Sequence, residues 1–174
     1  MVAEREFKDV MAEVCTSVAV VTATADGRPH GATVGSLASL SLRPPMVTIA
    51  LDQHSNLLAR IRRSGRFGVN LLGAGQADAA RAFASPAADR FAGVPWYPDD
   101  GLPRLRHAPG WLVCRTHRFV TGGDHVLLLG LVTRVAGSRT AAPLVHGRRT
   151  FGTHSAFTHG THASLTDRIA AFAR

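Results

Sequence analysis

Two long apolar stretches that meet at Gly122-Gly123 limit the fold more than any other feature of this sequence. Residues 111–122, WLVCRTHRFVTG, and residues 124–137, DHVLLLGLVTRVAG, are rich in the β-branched and large apolar residues that favour strands. A pair of glycines between two such stretches is typical of a tight β-hairpin turn. The sequence therefore predicts two long antiparallel strands joined as a hairpin.

Shorter strands and helices alternate with turn residues in the rest of the chain. Further strands are predicted at residues 46–52 and 66–72, and a hairpin at residues 17–39 around the turn sequence DGRP. Helices are predicted at residues 4–15, 55–65, 76–84 and 164–174. Because turns join most of the strands, we expect a mainly antiparallel sheet closed as a barrel, which makes the fold class mainly β with flanking helices.

The first predicted helix has a clear apolar face. Phe7, Val10, Met11 and Val14 follow the i, i+3, i+4, i+7 spacing of an amphipathic helix. Since such a face is normally buried, we expect it to lie on the sheet.

A single domain accounts for the length of the chain. With 174 residues, of which 45% are hydrophobic, the sequence can bury one sizeable core. No apolar run approaches the roughly 18 residues needed to span a membrane, and the charged start MVAEREFKDVMAEVC is unlike a signal peptide. We therefore expect a cytoplasmic protein with no membrane partner.

Cys15 and Cys114 are the two cysteines of the chain. They lie far apart in apolar surroundings and lack the CxxC spacing of a metal or redox site. Both are predicted to be buried free thiols and not the two halves of a disulfide.

The net charge of +8 favours an anionic partner. The arginines are spread over separate segments without interleaved aromatic residues, so the sequence does not predict a nucleic-acid surface. A phosphorylated small molecule needs only one or two well-placed arginines. We therefore expect such a ligand and no nucleic acid.

The stretch GATVGSLASLSLRPP, residues 31–45, is poor in bulky side chains. Glycine within a strand often marks close approach of the backbone by a ligand or by another strand. Composition leaves two interpretations open. Either the backbone presents its N–H and C=O groups to a flat, hydrogen-bonding ring, or the strand packs tightly under a helix.

Four segments together resemble the flavin reductase-like family, which has the FMN-binding split β-barrel fold and includes the reductase components of two-component flavin-dependent monooxygenases. The segments are VAVVTATADGRPHGATVGSLASLSLRPPMVTIAL, SNLLARIRRSGRFGVNLL, QADAARAFASPAADRFAG and GDHVLLLGLV, in the family's order and spacing. The resemblance implies a split-barrel domain over residues 1–152. Residues 153–174 are a C-terminal extension beyond the matched region, with a terminal helix predicted from its own residue pattern. The resemblance also implies a homodimer with flavin sites at the subunit interface.

The resemblance places the flavin ring beside the small-residue stretch. Thr33, Val34, Gly35 and Ser36 match the family segment that runs along the ring and the ribityl chain with main-chain hydrogen bonds. Many relatives have serine or asparagine where this chain has Gly35, so one side-chain contact is absent here.

The resemblance also implies a site for the flavin phosphate. Ser55 and Asn56 match the family's phosphate region, and the predicted helix start agrees with this because its free N–H groups and its dipole attract anions. Arg90 and Phe91 match a second phosphate-side element. The alternative for Arg90 is a solvated loop charge.

His125, in the segment GDH, resembles the family histidine that lies near the flavin and the nicotinamide. An imidazole there could orient the nucleotide or stabilise negative charge on reduced flavin, because histidine titrates near neutral pH. Hydride transfer between nicotinamide and flavin is cofactor chemistry, so no general base is required. The alternative is a surface residue beside the turn.

Three histidines near the C-terminus, His154, His159 and His162, have a loop spacing that zinc sites can use. No cysteine or carboxylate lies close to them in sequence to complete a site. No metal is therefore predicted.

These features predict an NAD(P)H-dependent flavin reductase. It would use NADH or NADPH to reduce FMN, FAD or riboflavin and pass the reduced flavin to a separate monooxygenase. The sequence has no GxGxxG fingerprint from which the choice between NADH and NADPH could be inferred. The alternative is a flavin-binding or carrier protein without efficient NAD(P)H turnover.

Overall fold

The computed structural model describes residues 2–138 and 141–154. The helices are α1 (Glu4–Met11), α2 (Asn56–Ser64) and α3 (Ala77–Ala84), with a 3-10 turn at Ala74–Gln76. The strands are β1 (Thr16–Ser17), β2 (Ala19–Ala25), β3 (Arg28–Val34), β4 (Ala38–Leu42), β5 (Pro45–Asp52), β6 (Arg66–Leu71), β7 (Trp96–Asp99), β8 (Leu102–Leu105), β9 (Gly110–Gly122), β10 (His125–Gly137), β11 (Val145–Gly147) and β12 (Thr150–Gly152). None of the helices in these ranges is long and apolar enough to cross a membrane.

Seven strands form one antiparallel sheet in the order β3-β2-β6-β9-β10-β5-β4. Its two edge strands, β3 and β4, are consecutive in the chain and separated only by residues 35–37. We call these three residues the seam. Because so short a link joins the two edges, the sheet must roll until they approach each other.

The side chain of Ser36 bonds the seam to β5. The hydroxyl of Ser36 donates to the carbonyl oxygen of Ala50 and accepts from the N–H of Ala50, both at 3.0 Å. Within the described ranges no strand pairing joins β3 to β4. The predicted fold class, mainly β with a split barrel, is confirmed, and the hydrogen-bond ladder stays open at the seam.

Both predicted hairpins form at the expected turn residues. Asp26 and Gly27 join β2 to β3 with φ of 52° and 70°, as a two-residue type I′ turn requires. Gly123, with φ of 63°, lies in the turn between β9 and β10. The two longest strands of the sheet are therefore paired as the sequence predicts.

Helix α2 begins and ends where local signals place it. Ser55 is the N-cap, and its side chain accepts a hydrogen bond from the N–H of Leu58. Gly65 follows the last turn with a left-handed φ of 67°. Leu57, Leu58 and Ile61 are buried, which fixes the helix against the sheet.

The core lies on both faces of β2, because alternate side chains of a strand point to opposite sides. Val21 and Ala23 pack with the buried face of α2. Val20 packs on the other face with Phe83 of α3. The neighbouring edge strand β3 contacts both helices, so one helix lies on each side of the free edge of the sheet.

Helix α1 differs from the prediction. It ends at Met11, earlier than expected, and none of its residues is buried. Phe7 and Val10 keep 58% and 69% of their surface exposed. A polar contact attaches the following turn instead, since Nε of Arg148 donates to a carboxylate oxygen of Glu13 at 2.8 Å. The prediction that the apolar face of this helix lies on the sheet is wrong.

Several short strands were not predicted. β7 and β8 form a hairpin in which Pro98 lies opposite Pro103, and proline is uncommon in strands. β1, β11 and β12 form a small separate sheet. The predicted helix at residues 164–174, and with it most of the proposed C-terminal extension, lies outside the described residues.

Neither cysteine forms a disulfide, as predicted. Cys114 is buried in β9, and its burial raises the pKa of its thiol to about 12. Cys15 is exposed, so the prediction that it is buried is wrong. The segment that follows α1 lies at the surface, and apolar neighbours in sequence did not indicate this.

Candidate functional site

A cleft of about 800 Å³ opens along the free edge of β3. It is lined by Arg28–Gly31 of this strand, by His54–Leu57 at the start of α2, and by the loop Pro86–Phe91 that follows α3. Because α2 and α3 lie on opposite faces of the sheet, these segments converge only at the edge strand. The fold thus builds a site from three distant parts of the sequence.

Basic side chains outnumber carboxylates in this cleft. Arg28 and Arg90 line it together with His30 and His54, whereas Asp89 is the single acidic residue of the lining. The carboxylate of Asp89 already accepts the N–H of the following residue at 2.9 Å. The cleft therefore attracts anionic ligands.

The start of α2 adds backbone donors to the cleft. Ser55 caps the helix with a long hydrogen bond of 3.5 Å to the N–H of Leu58. The N–H groups of Asn56 and Leu57 belong to the first turn, where the helix offers no carbonyl partner. Such a helix start is a favourable place for a phosphate group, the more so beside an arginine.

Arg90 is fixed to the edge strand. Its Nη1 donates to the carbonyl oxygen of Gly31 at 3.2 Å. A guanidinium group has five N–H donors in a planar fork, so this contact leaves others for a ligand. Arg90 is thus oriented along the cleft and not free in solvent.

Phe91 anchors the same loop in the core. Its ring is 8% exposed and packs edge-on against Phe83, with the ring centroids 4.7 Å apart. A second edge contact, at 5.3 Å, joins it to Trp96. The burial of this ring holds the neighbouring Arg90 in place, which is the role we expect for Phe91 at the site.

The imidazole of His30 has a lowered pKa in this cleft. Burial lowers its pKa, and the nearby positive charges of Arg60 and Arg28 lower it further. Its Nε2 atom is enclosed and has no hydrogen-bond partner in the part of the chain that the structure describes. At neutral pH this imidazole is therefore mainly uncharged.

The predicted ring-binding segment lies outside the cleft lining. Thr33 donates its hydroxyl to the carbonyl oxygen of Ala80 in α3 at 2.7 Å, and Val34 is buried in the core. Gly35 and Ser36 are exposed at the seam, where the Ser36 hydroxyl is already bonded to β5. The side chains of this segment thus serve the fold, and its exposed backbone is what can meet a ligand.

His125 stands at the head of β10, close to the start of α2. It is paired in register with Asp52, the last residue of β5, and its Nδ1 lies 2.8 Å from a carboxylate oxygen of Asp124. This hydrogen bond lowers the pKa of Asp124. Since an ionised carboxylate only accepts, Nδ1 carries the proton and Nε2 is the nitrogen left for other partners.

The structure brings together four of the predicted site residues. Ser55, Asn56, Arg90 and Phe91 line one cleft. His125 and the segment of residues 33–36 do not line it. No group of three or more metal-ligating side chains occurs within residues 2–138 and 141–154, and His159 and His162 lie outside these ranges.

Three basic residues of the cleft were not predicted as site residues from the sequence: Arg28, His30 and His54. Strand alternation puts Arg28 and His30 on the same face of β3. The pairing of β2 with β3 then turns that face towards α2. That register is needed before the two residues can be recognised as neighbours of the predicted phosphate site.

A match to a protein family model shows which family the chain belongs to. Residues 11–155 match the family model described as the flavin reductase like domain. The chain belongs to the flavin reductase-like family.

Two curated proteins illustrate the relationship of this flavin reductase-like chain to others. It is 39% identical over 147 residues to the reductase component of 4-nitrophenol 4-monooxygenase/4-nitrocatechol 2-monooxygenase of Rhodococcus opacus, which covers 84% of this chain and 79% of that protein. It is 38% identical over 156 residues to the NADH:riboflavin 5'-phosphate oxidoreductase of Streptomyces pristinaespiralis, with 87% and 89% covered.

Solved structures agree with the split barrel. The NADH:FAD oxidoreductase SgcE6 of Streptomyces globisporus C-1027, in complex with NAD and FAD fragments, has a TM-score of 0.84 and 32% identity, with 87% of this chain and 93% of that chain covered. A candidate oxidoreductase of Sinorhizobium meliloti 1021 has a TM-score of 0.83 and 31% identity over 98% of this chain. The flavin reductase-like chain spans 57% of that longer protein.

Proposed function

We propose that this protein is an NAD(P)H-dependent flavin reductase. It transfers a hydride from NADH or NADPH to FMN, FAD or riboflavin and supplies the reduced flavin to a separate flavin-dependent monooxygenase. The observation that carries the proposal is the basic cleft at the start of α2 in a chain of the flavin reductase-like family. The names of similar proteins, a monooxygenase reductase component and NADH:flavin oxidoreductases, support it.

The phosphate of the flavin is assigned to the start of α2. The N–H groups of Asn56 and Leu57, with Ser55 as the cap, would hold its oxygens, and Arg90 would add charge-assisted hydrogen bonds. The fit is supported by the contact of Arg90 with Gly31, which aims the guanidinium along the cleft. FMN and FAD both carry a phosphate at this position, whereas riboflavin does not.

The flavin ring is assigned to the backbone around the seam. Gly35 has no side chain and, like Ser36, is exposed, so a flat ring can approach their N–H and C=O groups. The side chains of Thr33 and Val34 position this backbone through α3 and the core. We expect main-chain hydrogen bonds and shape, not side-chain chemistry, to hold the ring.

His125 is assigned to the nicotinamide side of the flavin. Asp124 holds its Nδ1 proton, so Nε2 is the atom that would meet the nucleotide or the negative charge on reduced flavin. The flavin itself supplies the hydride-accepting chemistry when it is bound. The protein contributes binding, orientation and distance, and no proton-transfer residue is required.

A homodimer is assigned from uncovered apolar surface. Leu40 and Leu42 of β4 and Val120 and Leu127 of the β9–β10 hairpin are 47%, 79%, 40% and 38% exposed. Their strands belong to one contiguous part of the sheet. Leu127 lies opposite Val120 in the register of β9 and β10, and paired exposed apolar side chains of this kind favour a protein interface. Light scattering after size exclusion would measure the mass in solution.

A cytoplasmic location is the setting we assign to the enzyme. Neither cysteine is in a disulfide, as is usual in a reducing compartment. The supply of reduced nicotinamide nucleotides is also found there.

The experiment that tests the function mixes the purified protein with FMN and NADH, and in parallel with NADPH. Repeated turnover, seen as continuous loss of the absorbance of reduced nicotinamide, is the expected result. The alternative, a flavin carrier, predicts tight flavin binding with no such loss. A monooxygenase that is active only when this reaction supplies it would establish the delivery step.

A further inference from the structure

The cleft continues beyond the assigned phosphate site along the edge of β3. Arg90 contacts Gly31, whereas Arg28 lines the cleft at the start of the strand. With a rise of about 3.3 Å per residue, Gly31 and Arg28 are separated by about 10 Å along the strand. His30 lies between them and on the same face as Arg28. The cleft therefore has a second basic end at a distance from the first.

The positive charge at this second end is unpaired within the described residues. The side chain of Arg28 forms no ion pair or hydrogen bond in that part of the chain. The nearest carboxylate in sequence, Asp26, is paired with Arg63 at 2.8 Å. An unpaired arginine side chain in a cleft favours an anionic ligand that can accept its hydrogen bonds.

The cleft also contains surface that is suited to a flat base. Pro29, Pro86, Ala87 and Ala88 line the same cleft. These side chains are apolar or short and present surface without competing charge. Small-molecule sites combine such apolar surface with a few polar groups that fix orientation.

We propose that Arg28 and His30 form a subsite for the adenosine diphosphate part of a dinucleotide, so that this protein discriminates dinucleotides from mononucleotides. Arg28 holds the phosphate next to the adenosine, His30 lines the subsite beside it as an uncharged imidazole, and the base lies on the proline and alanine surface. Two substrates carry this group, FAD and the nicotinamide dinucleotide. The inference rests on the proposed function, since it names the part of the nucleotide substrate that this end of the cleft binds.

The test compares Arg28→Gln with Arg63→Gln. Both variants lose one positive charge near the β2–β3 turn, but Arg63 lies outside the cleft lining. Dissociation constants for riboflavin, FMN and FAD are measured by calorimetry at pH 8, where His30 is neutral in every variant. Melting temperatures show that each variant is folded, and Arg28→Lys serves as a charge-conserving companion.

If FAD occupies the subsite, Arg28→Gln weakens FAD binding roughly 10-fold, as expected for one charge-assisted contact. The dissociation constants for FMN and riboflavin change less than about twofold in this variant. Arg63→Gln changes none of the three dissociation constants. If the nicotinamide dinucleotide occupies it, FAD is unaffected. The KM for NADH then rises by a similar factor in Arg28→Gln, while the KM for reduced nicotinamide mononucleotide does not.

Equal weakening of FMN and FAD, or no change for any dinucleotide, overturns the proposal. The measurements of flavin binding need no catalytic turnover. A protein that binds FAD through Arg28 but never oxidises NADH would therefore refute the proposed function and leave the subsite standing. Conversely, a working reductase whose Arg28→Gln variant shows no dinucleotide-specific loss would refute the subsite alone.

Discussion

Arg90 and Gly31 are joined across the edge of the sheet by a hydrogen bond of 3.2 Å from Nη1 to the carbonyl oxygen. The bond connects the loop after α3 to an edge strand that has no neighbour on that side. It also holds the guanidinium at the edge of the cleft that the start of α2 lines. The geometry of the proposed phosphate site therefore depends on the strand edge as much as on the loop.

Arg90→Ala should weaken FMN binding roughly 10- to 150-fold, as expected for the loss of a charge-assisted contact. Riboflavin, which lacks the phosphate, should change little. Fluorescence titration of both ligands provides the measurement. Arg90→Lys keeps the charge but not the planar fork, so its FMN affinity should lie between those of the unchanged protein and Arg90→Ala. Equal losses for FMN and riboflavin would remove Arg90 from the phosphate site.

Gly35→Leu should abolish flavin binding while the barrel stays folded, because a side chain here would separate the ring from the backbone. A Cβ at residue 35 would also lie 2.8 Å from Oγ1 of Thr16, so the substitution should be made in a Thr16→Ala background. Thr16→Ala alone is the control. Unchanged flavin affinity in the double variant would show that residues 35–36 serve packing and do not bind the ring.

His125→Ala should leave the flavin dissociation constant nearly unchanged and slow hydride transfer. Misplacement of a donor by about 1 Å can cost on the order of 100-fold in rate. Stopped-flow reduction of bound flavin by NADH measures this step, and reduction by dithionite, which needs no nucleotide site, should be unaffected. His117→Ala, at an exposed histidine of β9, is the matched control. If both reductants slow together, His125 supports the flavin or the fold instead.

Cys114 should be unreactive in the folded protein. Burial raises the pKa of its thiol to about 12, so the reactive thiolate is scarce at any lower pH and access is blocked as well. Exposed Cys15 should therefore be the one cysteine alkylated at pH 8, and both should react in denaturant. Mass spectrometry of the labelled protein gives the number of alkylated cysteines. Rapid alkylation of both cysteines in the folded protein would contradict the burial of Cys114.

Gly68→Ala should destabilise the sheet. A Cβ at residue 68 would lie 2.1 Å from the fully buried ring of Trp111, and overpacking of this kind costs about 1–3 kcal/mol. For a domain of this size each kcal/mol lowers Tm by about 2–4 °C. Gly75→Ala, where a Cβ would meet nothing within 4 Å, should leave Tm nearly unchanged. Equal melting of the two variants would show that the Trp111 ring can move.

Elements with local signals were predictable from the sequence. Ser55 and Gly65 mark the ends of α2 through capping chemistry that needs no tertiary context. Asp26-Gly27 specifies its turn in the same way. By contrast, β7 and β8 contain the facing prolines 98 and 103, and only the packing of the surrounding chain reveals them as strands.

The site was predictable only in part, because chemistry at a cleft depends on which face each residue occupies. Periodicity showed that α1 is amphipathic but not that Phe7 stays uncovered. The hydroxyl of Thr33 could serve a ligand or the fold, and the structure shows it bonded to Ala80. Arg28 became recognisable only through the register of β3, which no local pattern encodes.

The seam between β3 and β4 links ligand exchange to local opening of the barrel. A flavin on the backbone of residues 35–36 would add contacts beside the hydroxyl of Ser36, which bonds the seam to β5. Bound flavin should therefore slow amide hydrogen exchange at Ala50, whose N–H donates to that hydroxyl. Conversely, a brief loss of the Ser36 contact would release the ring without unfolding the sheet. A reductase that must part with its product to another enzyme would thus carry the exit at the seam, where the described strands leave its barrel open.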